Sequence, residues 1–309
     1  MMNGSKIITL RNGFHLFTRT VGSGPIRLLC VHGGPGSNHE EFENYGEKLA
    51  DVQVQVSMYD QLGSFYSDQP DFNDPGNRKY LTIDYYLSEL EEVRQQLGLD
   101  HFYLLGHSWG GVLAQEYALK YSKYLKGLVL MSMIDNIPEY ITNINHLREQ
   151  MFAPAMVDYM REVEQQQRFD DPEYNELVQR LYKKYVMRHP ENSGRHTVAT
   201  SATSVYNYFQ GNNEFVMTGT LKNWDRRGDL AQIKVPTLLT FGEYDTMPLA
   251  AAHRMHQVLP NSRLVLTPDG GHCHSVDNPQ AFFQTLAQFL QDVEQNPQVN
   301  LKEGTTHEN

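Results

Sequence analysis

The run GHSWGG, beginning at Gly106, follows the apolar residues 102–105 and precedes a stretch with helical spacing over residues 112–121. This reads as a strand, a sharp turn carrying Ser108, and a helix. A serine on such a turn sits at strained backbone angles, and any side chain at Gly106 or Gly110 would crowd it. The strain lifts the hydroxyl clear of the sheet, where it can attack a carbonyl. Five residues of this kind arise by chance in glycine-rich loops, so the flanking strand and helix carry the weight of the reading.

The same alternation runs along much of the chain. Residues 6–10 and 14–20 flank Asn12 and Gly13, the preferred pair of a tight hairpin turn, so an antiparallel entry hairpin is expected. Strands are then expected at 27–31 and 53–59 with a helix near 40–50 between them, an amphipathic helix at 82–97 capped by Thr82, and strands ending at Leu105 and Met131. Strands alternating with helices imply a mostly parallel, doubly wound α/β sheet. From about residue 135 to about 225 the alternation stops, and segments such as MVDYMREVEQQQ carry helical spacing only. This is read as a helical cap inserted into a core formed by 1–134 and 226–293. Strand and helix signals return at 236–241, 249–259, 263–266 and 281–293, and the residues from 294 to 309 lack apolar periodicity, so a disordered tail is expected there.

A chain of 309 residues holds one large core or one core plus a lid. Its net charge of −11 opposes binding to nucleic acid, whose phosphates demand a basic surface, and to anionic membranes. No stretch approaches the roughly 20 apolar residues of a membrane span, and the first residues lack the apolar centre of a signal peptide. A cytoplasmic location is expected, and the two cysteines, Cys30 and Cys273, fit a reduced compartment.

A serine hydroxyl needs a base and a group that orients the base. The base candidates are His272 and His274 in PDGGHCHSVDNP, with His272 preferred because Gly270 and Gly271 give its loop reach. The acid belongs at the C-terminal edge of the preceding strand, where open α/β sheets place their sites. Asp245 in TFGEYDTMP is preferred there over its neighbour Glu243. The oxyanion of a tetrahedral intermediate needs backbone donors. HGGPG, residues 32–36, follows a strand and faces the turn, so the N–H groups of Gly34 and Trp109 are the candidates. Asp60 and Gln61 are read as supports for the loops that frame the serine. His253 with His256, and His272 with Cys273 and His274, lack the further ligands of a zinc site, and no metal or other cofactor is expected.

Taken together, HGGPG at His32, DQLG at Asp60, GHSWGG at Gly106, GNNEFVMTGTLKNWD from Gly211 and the spacing from GEYD to GGH resemble the proline iminopeptidase family of α/β-hydrolases, over nearly all of residues 5–293. The serine, acid, histidine order is the one that fold uses. The resemblance implies an α/β-hydrolase fold and removal of an N-terminal residue, preferably proline, from short peptides or amino-acid amides without a metal. It also implies that a cap carboxylate, here Glu214, binds the substrate's amino group, with Tyr206 lining the same pocket. Two positions depart from the family pattern. Thr246 stands where peptidase members often carry a second glutamate, and Ser64, Phe65 and Tyr66 follow Gly63 where relatives carry another glycine. Two aromatics near the mouth would narrow the pocket or favour a flat ring. An esterase, lactonase or amidase with the same triad is the alternative; a ligand-sensing protein has no need of a strained nucleophile.

Overall fold

The computed structural model describes residues 3–193 and 201–302. Among them, β1 (Gly4–Thr9), β2 (His15–Gly22), β3 (Ile26–Val31), β4 (Val54–Tyr59), β5 (Phe102–His107), β6 (Leu125–Met131), β7 (Thr237–Gly242) and β8 (Ser262–Thr267) form one sheet in the order β1-β2-β4-β3-β5-β6-β7-β8. β1, β2 and β4 pair antiparallel, and every pairing from β4 to β8 is parallel. The helices are α1 (Tyr45–Lys48), α2 (Ile83–Gln96), α3 (Trp109–Tyr121), α4 (Ile137–Met151), α5 (Pro154–Gln165), α6 (Pro172–Leu181), α7 (Thr203–Phe209), α8 (Leu249–Val258), α9 (His274–Asp277) and α10 (Pro279–Gln295).

Side chains of a strand alternate between faces, and both faces of this sheet are covered. On β3, Leu29 and Val31 join the core formed with α2, α3 and α8, while Leu28 and Cys30 join the opposite core formed with α1 and α10. That double burial explains why the central strands read as unbroken apolar runs. At the entry hairpin Leu10 N donates to Phe14 O, so the turn comprises Arg11, Asn12 and Gly13, one residue more than expected, with Gly13 at φ 93°. The helix start read at Thr82 is present: its side chain accepts from Tyr85 N at 3.1 Å.

The chain leaves the sheet after β6 and returns before β7. Asn136 and Asp225 form an isolated antiparallel bridge at the neck of this excursion, and Ile137 N donates to Trp224 O at 2.9 Å. Between them lie α4 to α7. The caps of α4 and α6 are Asn136 and Asp171, each accepting from first-turn backbone N–H groups, with a proline in the first turn where a missing N–H costs nothing. Val157, Met160 and Val163 on α5, and Tyr174, Leu177, Val178 and Leu181 on α6, recur at helical spacing and are buried in the same core as one face of the sheet.

Two expectations are corrected. The single helix read near 40–50 is a succession of short turns, His39–Phe42, Tyr45–Lys48 and Ala50–Val52. Gly46, inside the second of these turns, packs closely on β2: a Cβ there would lie 2.7 Å from Gly22 N. The tail expected to be disordered from residue 294 is held down as far as Lys302. Leu301 is buried in the second core, Asn261 Nδ2 donates to Val299 O, and Leu301 N donates to Asn261 Oδ1, both at 2.9 Å. Residues 303–309 of that expectation lie outside the described residues.

Candidate active site

The turn between β5 and α3 places Ser108 at φ 52° and ψ −121°, a conformation strained for any residue but glycine. The glycines around it are steric necessities. A Cβ on Gly106 would lie 2.1 Å from Gly110 O, and one on Gly110 would lie 2.0 Å from Val31 O. A side chain at Gly33 would press on Ser108 Cβ, so HGGPG sits directly against the serine. Gly34 and Ser108 line both cavities at this edge. Trp109 is the first residue of α3, and the N–H there has no intrahelical acceptor. Gln61 binds this assembly together: it accepts from Trp109 Nε1 at 2.7 Å and donates through its side chain to His32 O at 3.0 Å. Asp60 accepts from His39 N and Nδ1 at 2.7 and 2.8 Å.

Asp245, in the turn after β7, and His272, in the loop after β8, meet with Nδ1 2.8 Å from Oδ1. Both are buried. The rivals lie elsewhere: Glu243 accepts from Asp269 N, and His274 Nδ1 is 2.8 Å from Thr267 Oγ1. Asp245 also accepts from Met247 N at 3.0 Å, and Ser132 Oγ lies 2.5 Å from its Oδ2 and 2.9 Å from His272 O. His272 Nε2 is buried and has no hydrogen-bond partner among the described residues. It lines, with Ser108, a cavity of about 400 Å³ that also takes in Gly34, Tyr206, Glu214 and Glu41.

The insertion forms the far wall. Glu214 follows α7 and is buried; its Oε1 accepts from Tyr140 Oη at 2.9 Å and Thr246 Oγ1 at 3.1 Å, and lies 3.9 Å from His272 Nε2. Tyr206 hydrogen bonds to Glu214 and to Tyr182, whose hydroxyl accepts from Glu214 N at 3.0 Å. A second space of about 20 Å³ opens between Ser108, Gly34 and Glu214, walled by apolar side chains including Trp109, Met133 and Met247. The histidine loop is tied to the insertion as well: His272 N and Cys273 N donate to Tyr185 O and Val186 O at 2.8 and 2.7 Å.

Burial works against charge on His272, but the nearby Glu214 and Asp245 carboxylates and the Asp245 hydrogen bond outweigh it and hold the imidazole up at about 9. Burial opposes ionisation of Asp245 too, yet the His272 charge and the hydrogen bonds from His272, Ser132 and Met247 N keep its carboxyl below the usual range. His274, buried beside them, is pushed down to about 3 and stays neutral. Among the described residues no group of three or more His, Cys, Asp or Glu side chains could hold a metal ion, and no helix is long and apolar enough to cross a membrane.

Ser108, Asp245, His272, Gly34, Trp109, Glu214 and Tyr206 converge here, whereas Glu243 and His274 do not join them. Nor do Phe65 and Tyr66: they stack on each other and around His39 and Phe17, with Tyr66 largely exposed, and line neither cavity. Their expected narrowing of the mouth is therefore corrected. Sequence reasoning missed Ser132, Tyr140, Tyr182 and the Glu41–His107 pair, in which Glu41 meets His107 Nδ1 and His107 Nε2 lies 3.0 Å from His272 O. Partners drawn from distant parts of the chain leave no local pattern.

The family description of the α/β hydrolase fold matches residues 26–279. The chain is 33% identical to a proline iminopeptidase of Flavobacterium johnsoniae over 91% of its own length and 95% of the relative's. It is 34% identical to a proline iminopeptidase of Elizabethkingia meningoseptica over 93% and 97%. Among solved structures, VinJ superposes with a TM-score of 0.83 at 24% identity, and the proline iminopeptidase of Mycobacterium smegmatis with 0.81 at 23%. Each covers 93% of this chain and 98% of the other. At those identities the structural likeness speaks for the fold.

Proposed function

We propose, for a chain that belongs to the proline iminopeptidase family of α/β-hydrolases, that it is a serine aminopeptidase acting in the cytoplasm. It releases an N-terminal residue, preferably proline, from short peptides or amino-acid amides. The observation that carries this reading is the Glu214 carboxylate: buried, held by Tyr140 and Thr246, and facing the cavity shared by Ser108 and His272. A buried carboxylate is costly unless a positive group completes it, and a substrate ammonium is such a group. Bound there, the ammonium puts the first carbonyl of the peptide at the serine, within the cavity of about 400 Å³ that Ser108, Glu214 and His272 line.

Ser108 Oγ attacks that carbonyl carbon while its proton passes to His272 Nε2. Asp245 holds Nδ1–H and stabilises the imidazolium. The N–H groups of Gly34 and Trp109 receive the oxyanion. His272 then gives its proton to the leaving nitrogen as the C–N bond breaks. Water, deprotonated by the same imidazole, clears the acyl-enzyme and frees Ser108. The insertion roofs the reaction and supplies Glu214 and Tyr206.

Arylamides of proline, alanine and N-blocked proline, run beside a short nitrophenyl ester, test the reading. Cleavage of the free proline arylamide and not of its blocked form is expected. Turnover of the ester alone would replace the peptidase by an esterase, and absence of all turnover and of Ser108 labelling by an organophosphonate would leave a binding protein.

A further inference from the structure

Thr246 directly follows Asp245 and is completely buried. Its hydroxyl stands at the meeting point of the two halves of the site: 3.1 Å from Glu214 Oε1, 3.2 Å from His272 Nδ1 and 3.5 Å from Asp245 Oδ1. The carbonyl of the same residue accepts from Asn143 Nδ2 on α4 at 2.8 Å, so the insertion also grips its backbone. A hydroxyl has one proton to give and lone pairs to receive. An ionised carboxylate can only accept, and Nδ1 of a ring paired with Asp245 carries its hydrogen. The threonine proton therefore goes to Glu214, and an oxygen lone pair faces the Nδ1–H that is directed chiefly at Asp245.

We infer that Thr246 is a positioning residue for amine recognition, its hydroxyl bracing the Glu214 carboxylate against the Asp245–His272 pair so that one carboxylate orients the substrate's ammonium. This deepens the aminopeptidase reading and rests on it. An acid at position 246 would add a third negative charge within the cluster of Asp245 and Glu214. A hydroxyl adds none, and it spends its proton on holding Glu214 still. Tyr140 provides a second hold on the same oxygen, but from α4 of the insertion. Among the described residues, Thr246 is the one whose hydrogen bond connects that oxygen to the turn bearing the orienting acid. Removing the hydroxyl frees the carboxylate to turn away from the ammonium while leaving its charge in place.

The experiment uses the full chain. In a Ser108→Ala background, prolinamide is titrated calorimetrically against Thr246 and its replacements. With Ser108 intact, the ratio of kcat/KM for proline arylamide to that for nitrophenyl acetate is measured. Thr246→Val, close in shape, is expected to weaken prolinamide binding about tenfold or more, as loss of a buried hydrogen bond to a charge does, and to lower the ratio to the same extent through KM. Thr246→Ser is expected to restore both to within about threefold of the starting protein by the same reasoning. Thermal unfolding of each variant checks folding, and Thr246→Ala carries the comparison if the valine variant does not fold. Prolinamide binding unchanged by removal of the hydroxyl overturns the inference. So does an equal loss on arylamide and ester, which would make Thr246 a prop of the histidine alone. If the unaltered site hydrolyses the ester but neither binds prolinamide nor cleaves the arylamide, the aminopeptidase reading itself has failed, a pattern distinct from both.

Discussion

The sheet edge and the insertion hold their functional groups by different means. At the edge, backbone geometry does the work: Ser108 is fixed by a strained φ of 52° and by glycines whose replacement would drive a Cβ to about 2 Å from carbonyl oxygens. In the insertion, Glu214 is fixed by hydroxyl groups of Tyr140, Thr246 and Tyr206 drawn from three separate elements. Backbone positioning tolerates no adjustment, whereas a cage of hydroxyls can be rebuilt with different partners. On the proposed function, the edge decides whether bonds are broken, and the insertion decides whose.

The largest effects should fall on the edge and spare no substrate. Ser108→Ala is expected to lower kcat by about 10⁶-fold, the scale seen when a serine nucleophile is removed, on arylamide and ester alike. Circular dichroism should show an unchanged fold. A loss confined to the arylamide would break the division between the two regions. Asp245→Asn is expected to cost about 10⁴-fold in kcat, because an amide cannot hold Nδ1–H and stabilise the imidazolium as the carboxylate does. Loss of KM alone would instead place Asp245 in recognition.

Effects in the insertion should be smaller and selective. Glu214→Gln removes the charge offered to the ammonium, and KM for free proline arylamide is expected to rise by about 10- to 100-fold, the worth of a charge-assisted hydrogen bond, with a lesser change for the ester. The same substitution should be visible in the pH profile. Burial pulls the imidazole of His272 down, and Glu214 is the largest of the influences that raise it to about 9. The base must be neutral to act, so activity of the free enzyme, read as kcat/KM, should rise with pH through that value. Without the Glu214 charge the rise is expected at lower pH. In the substrate complex the ammonium offsets that charge, so the limb seen in kcat should already lie below the one seen in kcat/KM. An acid limb unmoved by Glu214→Gln would detach the carboxylate from the histidine. The sign for stability follows from the same shift. A ring raised from 6.5 to about 9 contributes stability that is full below about 6.5 and is lost as the pH climbs through 9.

The contrast between the regions also explains what could be read from the residues alone. GHSWGG and HGGPG are local strings because a strained turn and a close backbone approach need particular residues at consecutive positions. Asp245 and His272 were legible through their places after successive strands. Thr246 could be noticed as a departure, but its contact with Glu214, 32 residues away, could not, and Ser132 stands 113 residues from Asp245. Such partners are set by how elements pack, and a hydroxyl is common enough to carry no signal of its own. Leu301 illustrates the same limit in the core: a single apolar residue has no periodicity, yet it is buried because Asn261 holds the chain beside it. The turns at 40–50 escaped for the converse reason, since each is helical and the spacing alone does not show where one ends and the next begins.

The smallest expected effect lies at the seam between the two regions and tests whether they are mechanically joined. Asp277, on α9 of the histidine loop, accepts from Arg188 N and His189 N of the insertion at 2.7 and 2.8 Å through one oxygen, and from Gly271 N at 2.7 Å through the other. Gly271 directly precedes His272, so a single carboxylate fastens the insertion to the loop carrying the imidazole. In Asp277→Asn one of those oxygens becomes a donor facing a donor, and either the contact to Arg188 and His189 or the one to Gly271 is lost, while His272 N and Cys273 N still donate to Tyr185 O and Val186 O. A cost of about 1–3 kcal/mol is expected, read as a fall in Tm of a few degrees for a chain of this size. If the regions are coupled through this seam, kcat should fall by a few fold on arylamide and ester together, since the imidazole is displaced for every substrate. A fall in Tm with both kcat values intact would show that the remaining ties, the side chains of Asp245 and Ser132 and the backbone bonds to Tyr185 and Val186, hold His272 without this carboxylate.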